Sequence, residues 1–543
     1  MAVIPTWIGR QGVAAFLHVP EDLAIHGALL LCPSLGSEQA WSYRGLRAVA
    51  DQLSAFGFAC LRFDYAGTGH SAGDIERGDA PDLVDDIVTA GGFLESVTGL
   101  RPQALAFGAG SLFLAAAQEG RRALDALVLW EPAISGRRWL REQGALLRVG
   151  LQAGSTGDDE VPGLSVPADL RTLMQSMKLE DTTDLASRTL IVARPGSPAR
   201  RLADSPSVDF IEADDTDDLL FGDAHPASSE RAIVEWLSKF RSETGVEIEV
   251  PEQPGSFPLK STNGAADIRD RFLDVDALGL FGVVSEPGRG SALPPVVFVT
   301  TSCEPAIGPG REFVRVAREL AAHGRPAIRL DLGGFGDSPP SAGQFRDTCY
   351  PAEAAPDLVR GLRALTGDHT DDVTVVGMCS GAFHALQASR KTRLATVIGV
   401  SPSVEIPPVG SVNLVPRRRR MIATLRLGRL SGHSLTRKIR NGLGALGWRT
   451  FGRLGQGSPL SLFSQAVESG TEVVVLCGAE DATRLVRKGG WIIDRLEGHG
   501  LAFRVEPGLG HSALSRAERE IIRSALIAEI LPAPHTVSTP DRI

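Results

Sequence analysis

VVGMCSGAFHA, residues 375–385, sets a cysteine between two glycines as Gly377-x-Cys379-x-Gly381. Val373–Val376 leads in as a short buried strand, and Ala382–Arg390 leads out with a helical pattern. A nucleophile flanked by glycines on a strand-to-helix turn is the arrangement that exposes a reactive atom at a sharp bend. A lone cysteine after a strand is otherwise a small core residue. The fold and the function both turn on which of these Cys379 is.

The chain has 543 residues and a net charge of −9, enough for two or three domains and without a global nucleic-acid signal. MAVIPTWIGRQGVAAF lacks a basic head followed by an apolar core, and no apolar run is long enough to span a bilayer, so a cytoplasmic protein is expected. The six cysteines (32, 60, 303, 349, 379, 477) form no Cys-x-x-Cys pair, which argues against a disulfide framework and against structural zinc. Neither a metal nor a redox cofactor is expected.

The chain is written twice. YRGLRAVADQLSAFGFACLRFDYAGTGHS (43–71) aligns without a gap on GREFVRVARELAAHGRPAIRLDLGGFGDS (310–338) at an offset of 267 residues. Arg44 matches Arg311, Gly57 matches Gly324, and Arg62-Phe63-Asp64 matches Arg329-Leu330-Asp331. A repeat of this length is a duplicated domain. Continuous apolar runs separated by amphipathic stretches predict strands near Ala28–Cys32, Ala59–Phe63, Ala104–Phe107, Ala126–Trp130 and Thr189–Ala193. In the second copy they fall near Val296–Thr300, Ala327–Leu330, Val373–Val376, Thr396–Val400, Glu472–Leu476 and Ala502–Val505. Such patterning indicates α/β domains with mostly parallel sheets covered by helices on both faces, in three αβα layers. Domains are expected over 1–241 and 265–532, with a Pro- and Gly-rich linker over 242–264, inserted caps near 135–188 and 406–467, and a loose tail over 533–543.

Both halves resemble the α/β-hydrolase fold. Through Ser42-Tyr43-Arg44, FDYAGTGHSAG and SGRRWLRE, the first half is similar to bacterial serine-aminopeptidase-like hydrolases found with exopolysaccharide and exosortase systems. Through GPGREFVRVARELA and GMCSGAFHA, the second resembles a bacterial α/β-hydrolase group with a Gly-x-Cys-x-Gly elbow, a motif shared with dienelactone hydrolases and polyhydroxyalkanoate synthases. The resemblance implies a nucleophile after a central strand, an acid after a later one and a histidine after the last. Cys379, Asp481 in GAED and His511 in GLGHS fill those places in that order. His511 would take and return a proton, Asp481 would orient the imidazole, and the backbone N–H groups of Ser380 and Ser302 would meet an oxyanion. Glu480 is the rival acid. Asp64 and Asp331 are read as braces of the following Gly-x-Gly turns. Cys32, Cys60, Cys303 and Cys477 are read as packing residues. In the first half the elbow reads Phe107-Gly108-Ala109-Gly110-Ser111, with Gly110 taken as the nucleophile position and Ser111 one place too late; only His225 survives, so that domain is read as degenerate.

The insert 406–467 holds eleven Arg and Lys, among them Arg417, Arg418, Arg419 and Arg420, and no Asp or Glu, which leaves the rest of the chain near −20. Such separation concentrates anions. Three partners fit it: an acidic acyl donor such as coenzyme A or an acyl carrier protein, an anionic membrane surface met peripherally, or the acidic body of the chain itself. Sparse aromatic interleaving disfavours nucleic acid. The expected activity is hydrolysis of a small-molecule or carrier-bound ester or thioester through an acyl-cysteine. Acyl transfer to an alcohol or amine, and a non-catalytic two-domain scaffold, are the alternatives.

Overall fold

The computed structural model describes residues 2–77, 82–150, 159–180, 182–216, 226–250, 254–260, 267–302, 304–340, 349–403 and 459–531. The first sheet is built from β1 (Ala2–Ile8), β2 (Val13–Val19), β3 (Gly27–Cys32), β4 (Phe58–Phe63), β5 (Gln103–Phe107), β6 (Leu124–Trp130), β7 (Ala186–Ala193) and β8 (Val208–Glu212). Its spatial order is β1-β2-β4-β3-β5-β6-β7-β8. The second is built from β9 (Ser256–Lys260), β10 (Asp267–Asp274), β11 (Phe281–Pro287), β12 (Val296–Val299), β13 (Ala327–Leu330), β14 (Thr374–Met378), β15 (Thr396–Val400), β16 (Glu472–Cys477) and β17 (Leu501–Val505). Its order is β9-β10-β11-β13-β12-β14-β15-β16-β17, the same pattern with one added edge strand. The central strands pair in parallel, while β1, β2 and β9–β11 form antiparallel flanks. Both faces of each sheet are covered, and each sheet lies between two apolar clusters.

The strands expected from apolar runs are present. The flanking antiparallel strands and β8 were not among them, because their runs are interrupted by Pro5, His18 or charged residues and lack the continuous apolar signature of a doubly covered strand. The proposed linker is also partly structured. Val246–Glu247 pairs with Ala24–Ile25 of the first domain, and β9 adds itself to the second sheet from Ser256 onward. Residues Pro459–Glu468, placed in the second cap by sequence, form a helix that packs against β16. The rest of that basic insert, with Arg417–Arg420, lies outside the described residues.

The two domains clasp each other through their repeated segments. Arg47 donates to the carbonyls of Gly336 (2.5 Å) and Ser338 (2.7 Å). Reciprocally, Arg311 donates to Gly69 (2.7 Å) and Ser71, the repeat counterparts of those residues, and to Gly73 (2.8 Å). Asp337 is buried between Arg62 and Tyr43 of the first domain and accepts from both. Arg315 pairs with Asp74 (2.9 Å) and Glu76 (3.0 Å). An aromatic seam closes the rest: Trp7 stacks on Phe272 at 4.4 Å, and Phe16 meets Phe281 at 5.6 Å. Buried ion pairs contribute little net stability, but losing one partner strands the other charge.

Asp337→Ala leaves the buried Arg62 guanidinium without its carboxylate and is expected to cost about 3–5 kcal/mol. Urea denaturation followed by tryptophan fluorescence measures it. Glu142→Ala, which breaks the exposed Arg138–Glu142 pair, should change stability by less than about 1 kcal/mol; equal effects from the two would contradict the clasp.

Candidate active site

β14 ends in a bend that only glycine neighbours permit. Cys379 has φ 52° and ψ −111°, a conformation L-residues rarely adopt, and its N–H donates to Val400 O at 3.0 Å. A Cβ on Gly377 would lie 2.3 Å from the Gly381 carbonyl carbon, and one on Gly381 would lie 2.5 Å from Thr300 O. Each contact is closer than any side chain tolerates, so both glycines are required by approach. The strain of the elbow, of order 1–3 kcal/mol, is held by this packing. The result presents a half-buried Cys379 sulfur at the N-terminus of helix Ser380–Ser389.

The structure brings the expected three side chains together. His511 Nδ1 lies 2.8 Å from Asp481 Oδ2, and His511 lines the same cavity as Cys379. Asp481 sits in the first turn of helix Ala479–Leu496 with its side chain 4 % exposed, whereas His511 is 39 % exposed. A Cβ on Gly478 would fall 1.8 Å from Leu509 O, so the acid and histidine loops approach only because residue 478 is glycine. Glu480, the rival acid, points outward and pairs with Arg484.

The electrostatics follow from this geometry. Burial pushes the Cys379 thiol up. The hydrogen bond and positive charge of His511, the Ser380 N–H and the Tyr350 hydroxyl more than offset that, and the thiol stands below its usual range. Burial lowers the His511 pKa, but its bonds to Asp481 and Cys379 and their charges raise it to about 10. Both shifts favour the charged forms, a Cys379 thiolate beside a His511 imidazolium. Burial pushes Cys477 up to about 12, and the Cys32 and Cys60 thiols upward as well.

Tyr350 was not singled out from sequence. It is buried, packs edge-on against Phe383 at 5.4 Å and is electrostatically linked to Cys379. Burial, and then the charge of Cys379, push its hydroxyl pKa upward and keep it protonated. It stands 29 residues before Cys379 in a stretch without a motif; only its aromatic character marked it. Of the two N–H groups expected to meet an oxyanion, that of Ser380 lies beside the Cys379 sulfur and helps to lower its pKa. The Ser302 N–H instead donates to Ser380 Oγ at 2.8 Å, so the neighbouring hydroxyl satisfies it in this state. Asp64 and Asp331 brace their turns: each accepts a backbone N–H, from His70 (2.9 Å) and Asp337 (2.8 Å) respectively.

The first domain keeps the bend and lacks the nucleophile. The residue equivalent to Cys379 is Gly108, not Gly110: its φ is 54°, and its N–H donates to Trp130 O as Cys379 N–H does to Val400 O. Gly110 corresponds to Gly381, since a Cβ there would meet the Pro33 and Cys32 carbonyls. Ser111 spends its hydroxyl on Gly108 O (2.7 Å) and Ala133 O (3.0 Å). The vacated space is occupied by buried Glu38, which accepts from Ser34, Trp139 Nε1 (3.0 Å) and Gln143 Nε2 (3.1 Å). A Cβ on Gly108 would lie 2.4 Å from that carboxylate. His225 lies outside the described residues.

Residues 300–523 match the sequence model described as the alpha/beta hydrolase family. No curated protein matches the sequence. Among solved structures, the chain is similar to TT1662 from Thermus thermophilus (15 % identity, 48 % of this chain, 96 % of that one, TM-score 0.31). It is also similar to an esterase domain from a Rhodothermus marinus protein (16 %, 44 % and 99 %, 0.31) and to a dienelactone hydrolase from Anabaena variabilis (13 %, 48 % and 95 %, 0.30). The second domain has the α/β-hydrolase fold, and the first repeats its strand order. Among the described residues no helix is long and apolar enough to cross a membrane, and no His, Cys, Asp and Glu cluster is suited to a metal.

Iodoacetamide should label Cys379 ahead of the buried cysteines, with a rate that stays high through neutral pH and falls only in acid, as the thiolate is protonated below the ordinary thiol range. His511→Ala should return the midpoint toward that range and slow labelling at pH 7 by about 30-fold, the thiolate fraction of a thiol with pKa near 8.5. Tyr350→Phe should slow it by a smaller factor. Peptide mass spectrometry across pH checks all three, and an unchanged midpoint in His511→Ala would refute the ion pair.

Proposed function

We propose that the second domain is an acyl-processing enzyme that hydrolyses an ester or thioester through an acyl-cysteine at Cys379. The observation that carries this is the His511 imidazole held 2.8 Å from Asp481 on the same cavity as a cysteine on a strained elbow. The Cys379 thiolate attacks the carbonyl carbon, and the oxyanion that forms meets the Ser380 N–H. His511 gives its proton to the departing alkoxide or thiolate, leaving an S-acyl bond on Cys379. A water then loses a proton to His511 and attacks the thioester, and a second collapse releases the carboxylic acid and restores the ion pair. Asp481 accepts from His511 Nδ1 and holds the imidazole tautomer.

Acyl transfer is the second reading. An acyl-cysteine retains the free energy of a thioester, so passing it to an alcohol or amine stays downhill where water is excluded. Coenzyme A or a carrier protein would serve as the thioester donor.

Incubation with p-nitrophenyl and coenzyme A thioesters should release the leaving group and add one acyl mass to the Cys379 peptide. Cys379→Ala should lower kcat/KM by at least about 10⁴-fold. Product analysis with and without added alcohol or amine separates hydrolysis from transfer. An inert wild-type protein toward every donor, with no acyl adduct, would leave the scaffold reading.

A further inference from the structure

The cavity beside Cys379 has a volume of about 240 Å³, and the second domain supplies only part of its wall. Cys379, His511 and Met378 lie on one side, and Trp41, Ile75 and Leu164 of the first domain lie on the other. This juxtaposition is fixed by direct bonds. The short hairpin that carries Leu164 reaches the loop of the catalytic histidine: Gly163 N donates to Leu514 O at 2.9 Å, and Glu160 accepts from Arg516 N at 3.0 Å. Glu76, one residue after Ile75, accepts from Ser165 N at 2.6 Å and pairs with Arg519 at 2.5 Å. A Cβ on Gly310 would lie 2.8 Å from Gly163 O, so the two domains touch backbone to backbone at the cavity rim.

Two of the cations that line the cavity are committed to other acceptors. Arg311 is occupied by the Gly69, Ser71 and Gly73 carbonyls, and Arg315 by Asp74, Glu76 and Glu312. The large apolar side chains that the first domain brings to the cavity are Trp41, Ile75 and Leu164; Gln39, Arg44 and Thr68 of the same domain add polar groups to its wall. The volume falls below the roughly 300–1,000 Å³ usual for drug-sized ligands.

We infer that the acyl group of the substrate binds in the cleft between the two domains, and that Trp41, Ile75 and Leu164 of the nucleophile-free domain form the wall that selects a compact, largely apolar acyl group. The inference rests on the reading of Cys379 as the nucleophile. The first domain is then half of the binding site, fixed in place over the sulfur. Its own elbow is filled by Glu38, so it takes part through this outer surface.

A chloromethyl ketone bearing a short alkyl diazirine tests this on the intact chain. It should alkylate Cys379, and irradiation should then cross-link it to first-domain peptides containing Trp41 or Leu164. Failure to modify Cys379 would overturn the catalytic reading and this one with it. Modification with cross-links confined to the second domain would overturn the shared cleft alone. As a second measurement, Trp41→Ala should keep iodoacetamide labelling of Cys379 within about 2-fold while shifting preference among p-nitrophenyl esters toward longer acyl chains by roughly 10-fold per methylene pair. An unchanged chain-length profile with labelling intact also overturns it.

Discussion

The candidate site depends on how closely one helix can approach the end of a neighbouring strand. Helix Ser380–Ser389 starts so near Thr300 that any side chain at 381 would collide with its carbonyl. That approach forces Cys379 into a positive-φ bend and lifts its sulfur out of the sheet. Without it the cysteine would lie along the strand, buried and protonated, as Cys32 and Cys477 are. The same principle recurs at Gly478, whose contact with Leu509 brings the carboxylate to the imidazole. Three glycines thus set distances that the reactive residues only exploit.

The second theme is the use of buried charge. Arg62, Arg311, Arg315 and Arg329 are all buried, and the first three reach across to the partner domain. Their partners are largely backbone carbonyls and aspartates at the ends of the repeated Gly-x-Gly turns. Arginine suits this role because its planar fork satisfies several acceptors at once and keeps its charge when desolvated. The turns themselves are locked by Asp64 and Asp331, which burial pushes up to about 6 and 7. Rigidity therefore passes from turn to arginine to the opposite domain, and from there to the loop of His511.

Much of this was legible in the sequence, and the limits have physical causes. The duplication, the central strands and the Cys379, Asp481 and His511 positions could be read because each is encoded locally, by an apolar run or a glycine-framed motif. The register of the first elbow could not. Gly108-Ala109-Gly110 offers two glycines, and only the backbone bond to Trp130 shows that the first replaces the nucleophile while the second keeps the helix approach. Tyr350 and the Ser302–Ser380 bond are products of tertiary packing and leave no periodic trace. Arg62 and Arg311 of the clasp were visible as repeat matches, whereas Arg47 and Arg315 align with Val314 and Ala48, and the acceptors of Arg47 and Arg311 are main-chain atoms, which carry no side-chain signature.

The clasp has the form of a self-complementary contact: each copy offers arginine to the same pair of turn carbonyls on the other. Separate subunits meeting through such a face would associate only above a threshold set by their dissociation constant. Written on one polypeptide, the two faces are tethered at an effective concentration that dilution does not alter. Pairing is then guaranteed for every molecule at any expression level. The stoichiometry is also fixed at one half with a cysteine at its elbow to one half with a glycine there, an asymmetry that identical protomers could not enforce.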